Sequence, residues 1–273
     1  GQITITLCEA YGLTGDAKLE QAAQAAIRYA LAAQLPDGGW RYHLPDRDEN
    51  GLLESWKNRG DLSVTGWFLL ALKTAEMAGL QSPAIEESLE QVNGFLDQLQ
   101  IVSEQPDAID PGYDYQFNPL NPVKKFQPAI SAEAILGRLF LGAMPDNPHV
   151  SAVIERLLNE SRIAFPESSR KRGRAVEFAA IDPRSMNHAV KNIYAWYYIT
   201  QVCHHVGGRA WREWNADMCV LLPENQETGG FERGSWSPAH DLYGVKGGRL
   251  FTTALCACML ETYYRHLSLY GAA

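Results

Sequence analysis

Along this chain, stretches that are apolar on nearly every side alternate with stretches that are apolar on one face only. DLSVTGWFLLALKTAEMAG (61–79) is of the first kind. PAIEESLEQVNGFLDQLQ (83–100) is of the second: Glu86, Glu87, Glu90 and Asp97 share one face, and Ile85, Leu89, Val92, Phe95 and Leu96 turn to the other. That spacing is the helical period, and it predicts an enclosed helix followed by one that faces water. The pattern continues with enclosed helices over 130–143, 192–203 and 249–264 and amphipathic partners over 16–34, 149–162 and 209–222. The opening QITITLCEAYG reads as an apolar helix already under way. Gly12 to Gly15, Gly79 to Pro83 and Gly207-Gly208 punctuate the joints from inner to outer helix. Such short joints make each pair an antiparallel hairpin, whereas the returns from outer to inner helix are long.

A glycine-aromatic step recurs in the long returns: Gly39-Trp40, Gly112-Tyr113 and Gly230-Phe231, with a degenerate Gly173-Arg174. The period is about 60 residues, enough for two helices and a loop. Enclosed helices alternating with amphipathic ones bury their apolar surface only as two concentric layers. The predicted fold is therefore all-α, an α/α toroid of about four and a half hairpins in a partial or open ring. We read it as one domain over 1–273, cut from a longer protein. In QLPDGGWRY, Gln34 closes an outer helix and can satisfy its last carbonyls and the following loop together. Gly38 and Gly39 permit a tight turn, and Trp40 lies over the crevice between hairpins. The motif reads as a clasp between repeats. NQETGGFERGSW, with Gln226, Gly230 and Trp236, reads as a second one.

Composition narrows the partners. At 46% hydrophobic the chain can bury a large core, and its net charge of -8 removes the basic footprint that nucleic acid requires. The one basic run, SSRKRGR at 168–174, reads as a solvated loop. Five cysteines without framework spacing read as buried thiols rather than bridges. No apolar run is long enough for a membrane span, and the first residues do not form a signal peptide, so no compartment is assigned.

QLPDGGW and NQETGGFERGSW resemble the repeat of the terpene cyclase and protein prenyltransferase superfamily, a Gln followed by Gly-x-Trp; QPDAIDPGYDY (105–115) is similar more loosely. GDLSVTGWFLLALKTAEMAG, YYITQVCHHVGGRAWREWN and GGRLFTTALCACMLETYYRHLSLY resemble bacterial proteins named for a prenyltransferase or squalene-oxidase repeat. The resemblance implies the toroid. It does not bring the chemistry with it. The Asp-x-Asp-Asp acid of cyclases has no counterpart, since DRDE (46–49) and DAIDPGYD (107–114) are loop segments of different spacing. Prenyltransferase zinc needs an Asp and a Cys two apart with a distant His. Asp217 and Cys219 have that spacing, but on an outer helix, and Phe251, Thr252 and Thr253 stand where a His is wanted. His204 with His205, and Cys256 with Cys258, point in diverging directions on a helix. We expect no metal and no cofactor.

If all inner helices run the same way, their N-termini gather at one end with the long loops, and partial positive charge gathers with them. The ligand-binding candidates on this rim are Asp61, Thr65, Glu133, His188, Asn192, Arg249 and Thr253, with Trp196 deeper in an aromatic wall. The simpler reading of Asp61 and Thr65 is helix capping, and that of the aromatics is core. The expected function is a non-catalytic binding or scaffold module for a hydrophobic small molecule, such as an isoprenoid, or a protein segment. One alternative is a divergent cyclase or prenyltransferase-like enzyme using Asp61 or Glu133 as the acid. The other is a polysaccharide lyase, by analogy of fold, with Arg249 as base near Asp61 and calcium.

Overall fold

A computed structural model describes residues 1–43, 59–102, 111–117, 124–165 and 191–265. Gly173-Arg174, the basic run, DRDE, the first half of DAIDPGYD and His188 lie outside the described residues. The fold is all-α; among the described residues a two-stranded pairing and two isolated bridges, Trp40 with Asp61 and Lys191 with Asp241, are the extended contacts. It forms two compact units, Gly1–Asn147 and Pro148–Ala273.

The first unit contains α1 (Gln2–Thr14), α2 (Ala17–Ala32), α3 (Leu62–Met77), α4 (Pro83–Leu99) and α5 (Pro128–Phe140). Strand β1 (Gln100–Ile101) pairs antiparallel with β2 (Gly112–Tyr113) in the return between α4 and α5. Helices α1, α3 and α5 pack in succession, and α2 and α4 cover them, so the unit has two helical layers. Burial follows the layers. Every residue of α5 from Ala129 to Leu139 is buried, because neighbours on all sides exclude water. Helix α4 buries only Ile85, Ser88, Leu89, Val92, Phe95, Leu96 and Leu99, one stripe at the 3.6-residue repeat. The caps are those that the sequence supplies: Asp16, Asp61 and Ser82 accept from free N–H groups in the first turns of α2, α3 and α4. Gly15 closes α1 in the left-handed conformation, with its N–H on the Tyr11 carbonyl.

Among the described residues the second unit contains α6 (Pro148–Glu160), α7 (Ile193–Val206), α8 (Gly208–Glu224) and α9 (Gly244–Arg265), with a 3-10 turn at Gly230–Glu232. Helix α9 packs along α7, and α6 and α8 cover α7 in the outer layer. A break at Gly248 (φ 76°) divides α9, so its long part starts at Arg249. The expectation of an enclosed helix over 249–264 is corrected here. Only the stripe of Thr252, Cys256, Met259 and Thr262 is buried, while Leu250 and Tyr264 stand in solvent. Within its unit α9 has described neighbours on one side alone, and a helix covered on one side buries one face. The buried thiols are Cys8, Cys203 and Cys256, whereas Cys219 is exposed, and among the described residues no cysteine is bridged. Burial, with Glu9 adding a little, pushes the Cys8 thiol up to about 11. It raises Cys203 further, so both stay protonated at neutral pH. No helix among the described residues is long and apolar enough to cross a membrane.

Candidate functional site

A clasp of side-chain and backbone bonds organises the head of α3 and recurs, in whole or in part, at the heads of α9 and α5. In the first unit, the Gln34 side-chain amide donates to the carbonyls of Gly38 (2.9 Å) and Ser88 (3.0 Å), and its oxygen accepts from the Ser88 hydroxyl at 2.7 Å. Gln34 thereby ties the end of α2 to its own loop and to α4. The Trp40 indole N–H donates to the Ala30 carbonyl at 2.8 Å, and its ring stacks on Phe68 of α3 at 5.0 Å. The Trp40 backbone N–H donates to the Thr65 hydroxyl (2.9 Å), which in turn donates to the Asp61 carbonyl (2.7 Å). Asp37 bridges the N–H groups of Gly39 and Gly60. Glycine is required where these strands cross: a Cβ on Gly60 would stand 2.7 Å from Gly39 Cα, and one on Gly38 (φ 88°) would overlap the Gln91 carbonyl.

The same bonds recur elsewhere. Tyr113 N–H donates to the Ser131 hydroxyl in the first turn of α5, at 2.9 Å. In the second unit, Gln226 donates to the Gly234 carbonyl (2.9 Å), Trp236 Nε1 to the Leu222 carbonyl (2.8 Å), and Trp236 N–H to the Thr253 hydroxyl (3.2 Å). This corrects the alignment on Gly230-Phe231. Gly230 is exposed, and Phe231 is fully so. The true counterparts of Gly38 and Trp40 are Gly234 and Trp236. The physical reason is an insertion: bonds from Glu227 N–H to Ser235 O and from Gly234 N–H to Glu227 O match those joining Leu35, Gly38 and Gly39, and they pinch off the extra residues.

The clasp consumes several rim candidates. Thr65 and Thr253 use their hydroxyls to hold a backbone, and Thr65 is fully buried. Glu133 is buried on α5 against Gly66 of α3, where a Cβ would overlap its carboxylate. Asn192 caps α7 by accepting from Ala195 N–H at 3.0 Å. Trp196 is 2% exposed and packs on Phe165, so it belongs to core. Arg249 bonds to Ser235 and Glu232 (3.1 and 2.8 Å), with Glu227 at 3.9 Å. Its charge is balanced within its own loop, which leaves a guanidinium no basic role there. Sequence reading missed Asp241. This buried carboxylate accepts from Ile193 N–H (2.8 Å) and Tyr243 N–H (3.2 Å), and also from Gly244 N–H, capping α7 and α9 together. Lys191 beside it donates to the Ser237 carbonyl at 2.9 Å. Among the described residues no group of three His, Cys, Asp or Glu is placed to hold a metal ion.

A cleft of about 350 Å³ opens at the head of α3, lined among the described residues by Arg41, Tyr42, His43, Arg59, Asp61, Tyr115 and Gln116. Asp61 is its floor. The carboxylate accepts from Val64 N–H (3.0 Å) and from the Ser63 hydroxyl (2.8 Å), and Tyr115 also bonds to it. Burial raises Asp61 above the ordinary carboxylate value, against the opposing pull of those bonds and of nearby Arg41. Burial also pushes the Tyr115 hydroxyl up to about 12, with the Asp61 charge adding to it, so Tyr115 is a donor at any physiological pH. Tyr42 and Ser63 share a hydrogen bond of 3.2 Å. The Arg59 guanidinium lies over the Phe117 ring at 4.8 Å, and Gln116 holds the Arg59 carbonyl at 3.2 Å. Of the expected rim residues that are described, only Asp61 lines this cleft. Its other lining residues belong to the loops around the clasp, and only the Arg-Tyr-His run after Trp40 hinted at them in the sequence.

Protein-family models, curated proteins and solved structures give no match to the chain.

Proposed function

We propose that this chain is a non-catalytic binding module built from terpene-cyclase-like α/α repeats, with the toroid as their closed or partial form. Its ligand, a small molecule or a peptide segment, enters at the head of an inner helix. The observation that carries this reading is the cleft above Asp61, which gathers donors from three separate stretches of chain on a rigid clasp. Sites of this size and origin suit small ligands. The recurrence of the Gln-to-Trp clasp in both units supports the repeat relationship. Native mass spectrometry of the purified chain, followed by denaturing extraction, tests it. A discrete small-molecule adduct, or a peptide retained through purification and lost on unfolding, is expected. A chain that carries nothing and takes up no member of a metabolite and peptide library overturns the reading.

An enzyme of cyclase type is favoured by one observation, the burial that raises Asp61, because a proton donor needs that direction of shift. Turnover of a polyprenyl substrate that disappears in Asp61→Asn would establish it in place of binding alone.

A further inference from the structure

We draw no further inference here: the strongest candidate, the solvent-facing side of α9 that carries Leu250, Ala254 and Tyr264, is an unpartnered face, and nothing in the structure shows what covers it.

Discussion

The clasps at Trp40 and Trp236 share their hydrogen bonds and differ in nearly everything around them. Each has a Gln holding a glycine carbonyl, an indole N–H on the last turn of the outer helix, and a threonine hydroxyl on the tryptophan N–H. Four residues before that threonine, however, stands Asp61 in one and Arg249 in the other, and beside the left-handed glycine stands Asp37 in one and Arg233 in the other. Around Trp40 the acids serve the backbone, and arginines from the loop line an open cleft. Around Trp236 the arginine is answered by Glu227 and Glu232 of its own loop. The frame is indifferent to the charge it carries. Chemistry is therefore written in the loop, and the clasp is the fixture that holds loop and helix together.

The sharpest way to break that equivalence is at its glycines. Gly38 and Gly234 both have positive φ, but a Cβ on Gly38 overlaps the Gln91 carbonyl, whereas one on Gly234 meets nothing within 4 Å. Gly38→Ala is expected to cost roughly 3 kcal/mol or more, since strain and a backbone clash combine. Gly234→Ala should cost about 1 kcal/mol, the conformational part alone. Urea unfolding of both variants, followed by tryptophan fluorescence, gives the comparison. Equal costs would mean that the close approach to α4 is absent in solution.

The glutamines should separate by less. Gln34 makes three bonds and reaches α4, while Gln226 makes one and is more open to water. Gln34→Ala is expected to destabilise by about 2 kcal/mol, and Gln226→Ala by less than about 1 kcal/mol. Differential scanning calorimetry of the pair would reverse our ranking if Gln226 proved the costlier.

The acids give the smallest and most pH-dependent effect. Burial raises Asp241 above the ordinary carboxylate value, with the three N–H groups and Lys191 pulling it back. A carboxyl with a raised folded pKa binds its proton more tightly in the fold than in the unfolded chain. Its contribution to stability is full below the unfolded value, near 3.8, and declines as pH rises through the folded value. The destabilisation caused by Asp241→Asn should therefore be smaller at pH 7 than at pH 4. Asp61→Asn should follow the same trend. Melting temperatures across that range decide it, and a penalty that grows with pH would show that the capping bonds outweigh desolvation.

Helices were the most legible part of this chain. The spans 61–79, 83–100 and 149–162 fall on Leu62–Met77, Pro83–Leu99 and Pro148–Glu160, because apolar periodicity and capping residues are local properties. The clasp was half legible. Gln34 and Trp40 in one copy and Gln226 and Trp236 in the other are joined by the clasp bonds, but the turn glycine of the second copy is Gly234 and not Gly230, because of an insertion that only hydrogen bonds across the loop reveal. The cleft was scarcely legible, since Arg41, Arg59 and Tyr115 lie far apart in sequence and no spacing rule links them.

By itself, then, the order of apolar and polar residues determined that this protein is helical, which faces of most helices are covered, and where the inner helices begin, since each of these follows from neighbours within a turn or two. Tertiary structure alone decided which polar residues are spent and which remain available. Thr65, Glu133, Asn192 and Arg249 looked equivalent to Asp61 as rim residues, and their partners arrive from loops and helices remote in the chain. A side chain's chemistry depends on what it already holds, and that is settled only when distant segments meet.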